Sequence, residues 1–125
     1  MVPVSRPVFL NPIQIKMPVG ALASIGHRIS GVILAVGVPA ALYLLAMSLR
    51  GEESFADALA LARSVPAKSA AVLMAWALAH HVLAGLRHMC TDFSIGSPLR
   101  TARITAYLVN YGAFAVMVVA AVGLW

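Results

Sequence analysis

The sequence contains very little charge and a single cysteine. Charged residues make up only 10% of the chain, nine of them Lys or Arg and four Asp or Glu. The lone Cys90 cannot form an internal disulfide and does not constitute a metal-binding motif by itself. A soluble domain of 125 residues could not cover an apolar content of 62%. Lipid must therefore be the solvent for much of the chain.

Motifs that bind redox cofactors in soluble enzymes are also missing. The sequence has neither a nucleotide-binding glycine loop nor a cysteine cluster for an iron–sulfur centre. It shows no cleavable signal, because the first residues include Pro3 and Pro7 and lack a compact apolar core. An Arg- and Ser-rich transit peptide is absent too. We therefore expect a bacterial cytoplasmic membrane and not an organelle.

Three long runs contain no formal charge, at 31–49, 69–86 and 104–125. Each is close to the roughly 20 residues that a helix needs to cross about 30 Å of hydrocarbon. The runs are continuous and rich in Ala and Leu, without the period-two alternation of a β-barrel strand. The sequence predicts one all-α integral membrane domain over residues 1–125. Its predicted parts are an arm at 1–19 and transmembrane helices at about 21–49, 66–90 and 103–125.

Prolines and glycines mark the segments between these runs. Pro18 and Pro66 can occupy the first turn of a helix, where the missing N–H has no partner to lose. Pro39 predicts a kink within the first crossing. Residues 55–62, in the first loop, are predicted to form a short interfacial helix.

The distribution of cations predicts the orientation in the membrane. Six cations lie in the arm, at the start of the first helix and around the second loop, against three in the first loop, where three acids offset them. This asymmetry places the N-terminus in the cytoplasm and the C-terminus in the periplasm. The cations lie at segment ends, so the net charge of +5 indicates topology and not nucleic-acid binding. The six are Arg6, Lys16, Arg28, Arg87, Arg100 and Arg103; the three are Arg50, Arg63 and Lys68.

Three of the four histidines lie near the end of the second crossing. On a helix His81 and His88 are seven residues apart, so they share a face about 10 Å apart along the axis. Gly85, one turn from His81, leaves a notch on that face. This pattern suits a flat iron porphyrin: His81 would bind the iron, the glycine would admit the ring, and Arg87 and His88 would meet the propionates.

Simpler interpretations are open for each of these residues. His81 could hydrogen-bond between helices, and spacing alone favours neither role. His80 points roughly 100° away from His81, as expected for a packing or hydrogen-bonding residue, although the ligand could be displaced to it by one position. Arg87 and His88 could be interfacial side chains that reach for water.

Ser24 and Arg28 are spaced four residues apart at the start of the first crossing and share a helical face. A hydroxyl and a fixed cation suit a carbonyl oxygen that becomes negative on reduction, as in a quinone. A helix start with an ordinary positive-inside arginine explains the same residues equally well.

Two motifs carry a family resemblance. The pattern H-x-x-x-G-x-R-H-x-x-x-D, from His81 to Asp92, resembles the signature of the cytochrome b membrane anchor of succinate dehydrogenase, respiratory complex II. The pattern S-x-x-H-R-x-S-G, from Ser24 to Gly31, resembles a second run of that family. A weaker match is Arg6-Pro7 in the arm. With three apolar segments at fitting distances, the resemblance covers almost the whole chain.

The sequence departs from that family in two places. Many members have a Ser-Pro-His segment in the arm, where this chain has Phe-Leu-Asn-Pro at 9–12. No role is transferred to that segment. Gly26 also stands where the family usually has a bulkier apolar residue.

The resemblance implies a bundle shared with a second membrane subunit, and one haem b between the two chains. His81 would be the axial ligand here, and the partner would supply the other. His27, Gly85, Arg87 and His88 would form the haem-propionate contacts and pocket. Ser24 and Arg28 would bind quinone, and Asp92 would have a weaker role near the quinone or its proton supply.

The resemblance also implies an anchor for the flavoprotein and iron–sulfur subunits, which would carry succinate oxidation. A non-redox membrane protein is the alternative class, such as a structural anchor or small transporter subunit that uses these polar residues for packing.

Overall fold

The computed structural model describes residues 16–125, and every regular element in that part of the chain is an α-helix. Three of the helices are long and apolar enough to cross a membrane, with mean hydropathies of 2.2, 1.5 and 1.9 in chain order. The predicted all-α membrane fold with three spanning helices is therefore confirmed. The predictions for Arg6-Pro7 and for most of the arm lie outside the described residues. The helices are α1 (Val19–Ser48), α2 (Glu52–Ala62), α3 (Val65–Asp92) and α4 (Leu99–Leu124).

Local sequence explains where the helices begin. Pro18 is the N-cap of α1, and its carbonyl accepts the backbone N–H of Ala21 at 2.9 Å. Ser64 caps α3 by accepting the N–H of Ala67 at 3.4 Å, with a proline in the first turn. The helix α4 begins at Leu99, earlier than the predicted start near 103, because its first cations are compatible with helix outside the hydrocarbon.

The three long helices form a bundle with α3 between α1 and α4. Its core is made of small side chains, chiefly Ala23, Ala84, Ala106 and Val109. Alanine lets helix backbones approach closely, which is how helices associate in lipid, where apolar burial alone drives little. Large apolar side chains point outward instead, among them Val36, Val119 and Val122, each at least 71% exposed. This outward apolar surface fits a multi-pass membrane protein.

Glycines on α1 admit side chains of α3. A Cβ added at Gly37 would collide with the Met74 thioether, and one at Gly26 would lie 2.5 Å from His80 Cε1. Neither position accepts a side chain while its neighbour stays in place. The two notches therefore set the register between α1 and α3.

The short helix α2 packs against the second half of α1, burying Ala58. Ser54 Oγ donates to the Met47 carbonyl at 2.7 Å, which ties the start of α2 to the end of α1. At the same end of the bundle Lys68 Nζ lies 5.6 Å from the centre of the Trp125 ring. This cation–π contact joins the start of α3 to the end of α4.

Candidate functional site

The polar residues collect at the end of the bundle where α1 begins, α3 ends and α4 begins. An ideal Cβ on Gly20, in the first turn of α1, would lie 3.6 Å from Arg87 Nη2 near the end of α3. Arg87 in turn reaches Thr105 near the start of α4. The antiparallel order of the helices thus brings both sequence motifs to one end.

Three histidines from two helices form a contiguous cluster. The ring of His27, on α1, stacks on that of His81 with centroids 4.1 Å apart and planes at 14°. The same ring meets His88 edge-on, with centroids 5.3 Å apart. The predicted common face of His81 and His88 therefore lies against one imidazole of α1. We call these three residues the histidine cluster.

Gly85 contributes space to this cluster, but next to a different ring from the one expected. An ideal Cβ at position 85 would lie 3.5 Å from His27 Nε2, in ordinary van der Waals contact. The notch on α3 thus faces the imidazole of α1. Its close neighbour is His27, whereas the sequence pattern placed the notch beside His81.

The Nδ1 atom of His81 is held by polar atoms of α1. It lies 3.1 Å from the His27 carbonyl oxygen and 3.3 Å from Ser30 Oγ. Ser30 Oγ donates its own proton to that carbonyl at 2.9 Å. A carbonyl oxygen can only accept, so we assign the proton of His81 to Nδ1, which donates to His27. The other ring nitrogen, Nε2, then has a free lone pair.

This arrangement is the one that orients histidine as a metal ligand. A ligating imidazole usually donates its second N–H to a carbonyl or carboxylate, which selects the tautomer and the ring direction. Within residues 16–125 no group of three or more His, Cys, Asp or Glu side chains could hold a metal ion unaided. One free imidazole nitrogen is sufficient for an iron already bound by a porphyrin, so the residues fit a haem.

Arg87 is engaged with α4. Its Nε donates to Thr105 Oγ1 at 3.2 Å, and its Nη2 donates to the Ala102 carbonyl at 3.3 Å. The side chain is half-buried. These contacts turn the side chain toward α4. A guanidinium has five N–H donors, so the remaining donors are available to an anionic group.

The predicted quinone residues lie on α1 and at the end of α3. Ser24 is half-buried and Arg28 is exposed, and their spacing places them on one side of the helix. Asp92 is the last residue of α3 and is also exposed. Both Arg28 and Asp92 are accessible to a ligand or a partner chain.

His80 belongs to the interior of the bundle. It is only 2% exposed, and its Nε2 lies 3.1 Å from Asn110 Oδ1 on α4. Trp76, one turn earlier, lies beside it with centroids 5.4 Å apart. The prediction of a packing or hydrogen-bonding residue is confirmed.

Two partners in this region had no predicted role, Ser30 and Asn110. Each carried a usable signal. Ser30 is part of the first motif, and Asn110 is an amide within an apolar run of residues. An amide in a membrane helix usually hydrogen-bonds to another helix.

Comparison with known proteins identifies the family. The family model for the succinate dehydrogenase/fumarate reductase transmembrane subunit matches residues 3–121. The chain is also 36% identical, over 121 residues, to the succinate dehydrogenase cytochrome b556 subunit of Coxiella burnetii. That alignment covers 96% of this chain and 97% of the relative. The two motifs and the three spanning helices thus have a common explanation: the chain belongs to the family of transmembrane subunits of succinate dehydrogenase and fumarate reductase.

Proposed function

We propose that this chain is the cytochrome b anchor of a succinate:quinone oxidoreductase, in which it binds haem b with a second membrane subunit and helps to form the quinone site. One observation carries the proposal. His81 donates Nδ1–H to the His27 carbonyl and keeps Nε2 free of hydrogen bonds within residues 16–125. The name of the Coxiella burnetii relative, a cytochrome b556 subunit, supports the same cofactor.

Bound haem b supplies a one-electron carrier in the membrane. His81 would hold its iron through Nε2, and the backbone of α1 keeps that ring in one orientation. His27 and His88, the other two members of the histidine cluster, would donate N–H groups to the propionates. Gly85 leaves the space on α3 that a side chain would fill, and Arg87 adds positive charge next to the anionic groups.

A partner membrane subunit would supply the second ligand of the iron. His80 is adjacent to His81 in sequence but is turned into the bundle, where Asn110 accepts its Nε2 proton. It is therefore not available on the face that His81 presents. An iron held by two imidazoles would supply electron transfer and not oxygen binding.

Quinone binds on the exposed side of α1, beside Ser24 and Arg28. The Ser24 hydroxyl donates a hydrogen bond to one carbonyl oxygen and fixes the direction of the ring. The Arg28 guanidinium stabilises the negative charge that develops on a carbonyl oxygen as the quinone is reduced. Asp92, exposed at the same end, is placed to supply protons from the aqueous side.

The flavoprotein and iron–sulfur subunits dock at this polar end, and succinate oxidation belongs to them. The polar end faces the cytoplasm of a bacterial cell. The positive-inside asymmetry and the position of both motifs at that end support this orientation.

The test of the proposed function is a visible spectrum of the purified membrane complex. We expect a sharp reduced α band of low-spin haem b, with haem in one-to-one ratio with the assembled complex. A complex that is assembled with its partner subunits but has no haem absorption would favour a non-redox anchor and reject the proposal.

The orientation is tested with reporter fusions. Fusions after Trp125 and within residues 52–60 should report the outer side, because the cations that favour the cytoplasm lie at the opposite end. A fusion at Ser97, in the segment between α3 and α4, is the matched control and should report the cytoplasm. A cytoplasmic signal from either of the first two fusions would contradict the orientation.

A further inference from the structure

The interior of the bundle contains a second polar connection, on the side of α3 that faces α4. Ser30 and His80 are the two buried polar side chains among the described residues. Ser30 contacts the histidine cluster through His81. His80 does not: it lies against Gly26 of α1 and hydrogen-bonds to Asn110 of α4.

The ring of His80 is enclosed between α1 and α4. A Cβ at Gly26 would be 2.5 Å from its Cε1 and 2.6 Å from its Nε2, so the ring lies directly on the backbone of α1. On the other side, Asn110 accepts its Nε2 proton at 3.1 Å. His80 thus contacts both neighbouring long helices.

A contribution to stability does not by itself explain the hydrogen bond between His80 and Asn110. With Nε2 as the donor, Nδ1 is an acceptor, and it is buried without a hydrogen-bond partner within residues 16–125. An unpartnered buried polar atom costs more free energy than one hydrogen bond between membrane helices returns on average. An apolar side chain of similar volume would fill the same space without that cost.

The hydrogen bond instead limits the rotation of α3 about its own axis, because it joins α3 to α4. His81 follows His80 directly, about 100° further around the helix, so the two rings turn together when the helix turns. A rotation of about 20° would displace a group about 6 Å from the axis by about 2 Å. A metal-ligand site needs its groups held within about 0.5 Å.

We propose that His80 is a positioning residue of the haem site, and that its hydrogen bond to Asn110 fixes the direction in which His81 presents Nε2. Two contacts then determine the ligand: the α1 backbone holds the ring of His81, and α4 holds the helix that carries it. The proposal rests on the proposed function, because it assumes that His81 binds the iron.

The experiment uses the complete membrane complex with its partner subunits. His80→Phe keeps an aromatic ring and removes the donor, and Asn110→Leu removes the acceptor at similar volume. Both variants should keep haem at the parental content. We expect each to shift or split the low-spin electron paramagnetic resonance signal, which reports the relative orientation of the two axial rings, and to shift the haem midpoint potential.

Two further variants separate positioning from packing. His80→Gln retains an N–H donor for Asn110 and should return the signal toward the parental one. Met74→Leu changes another α3 side chain that fills a glycine notch of α1 but makes no hydrogen bond to α4 within the described residues. It should leave the signal unchanged.

Parental signal and potential in both His80→Phe and Asn110→Leu would overturn the proposal. Equal disturbance by His80→Gln, His80→Phe and Met74→Leu would also overturn it, because the packing and not the hydrogen bond would then set the geometry. If His80→Phe fails to assemble, the contrast between Asn110→Leu and His80→Gln decides. Failure of the proposed function is distinct, since it would appear as a parental complex without haem or as a His81→Ala variant with an unchanged spectrum.

Discussion

Replacing His81 by alanine should abolish the low-spin haem spectrum of the complex, whereas His80→Ala should keep the cofactor bound. The reason lies in the two hydrogen bonds. His81 gives its Nδ1 proton to the His27 carbonyl, which leaves Nε2 available to the iron in the proposed site, while His80 is hydrogen-bonded to Asn110. Loss of a partner that only orients a ligand weakens metal binding by about 10–100-fold. Loss of the ligand itself should exceed that range.

The measurement is haem content per assembled complex, together with the reduced-minus-oxidised spectrum. His81→Gly with added imidazole gives a matched control, because a free imidazole can occupy the vacated space and restore the signal. Turnover is not a suitable measure, because the proposed function allows an iron–sulfur partner to reduce the quinone directly, without haem. An unchanged two-imidazole spectrum in His81→Ala would show that another residue binds the iron.

The second large effect is expected at the quinone site. Ser24→Ala and Arg28→Leu should lower quinone reduction sharply, because in the proposed site they remove the hydroxyl that would orient the ring and the cation that would stabilise developing negative charge. Loss of one such electrostatic group typically lowers the rate about 100–1,000-fold. Succinate oxidation with a soluble artificial acceptor should persist, since the proposed function assigns that chemistry to the partner subunits.

Arg28→Lys and Arg103→Leu serve as controls for the second experiment. The first keeps the charge on α1 and should retain part of the activity. The second removes an exposed cation from α4 at the same end of the bundle, and it should have little effect if position matters more than total charge. Parental rate and affinity for quinone in both Ser24→Ala and Arg28→Leu, in a fully assembled complex, would place the quinone elsewhere.

The long-range signals of the sequence were sufficient for the architecture. Charge-free runs predicted three spanning helices because lipid demands about 20 apolar residues in sequence, a requirement that no tertiary contact relaxes. The start of α4 was less predictable. Arg100 and Arg103 interrupt the apolar run without interrupting the helix, so hydropathy locates the hydrocarbon boundary and not the first helical residue.

The candidate site was predictable along one helix but not between helices. The common face of His81 and His88 follows from helical geometry, and both contact His27 as a result. Which atoms of α1 would meet them depends on how α1 packs on α3. The bond from His81 to the His27 carbonyl could not be anticipated, because a backbone acceptor leaves no trace in the sequence. The contact of Gly85 with His27 depends on the same packing.

His27 contributes to the site in two separable ways. The carbonyl oxygen that receives the His81 proton is a main-chain atom, so any substitution at position 27 that leaves α1 helical preserves it. The imidazole that stacks on His81 is removed by every one of these substitutions. The orientation of His81 is consequently insensitive to mutation at position 27, whereas the contribution of the His27 ring is easily lost. We therefore expect His27→Ala to keep the axial ligand and to lose only the side-chain contacts. A survey of loss-of-function alleles would then show a mild phenotype for this substitution.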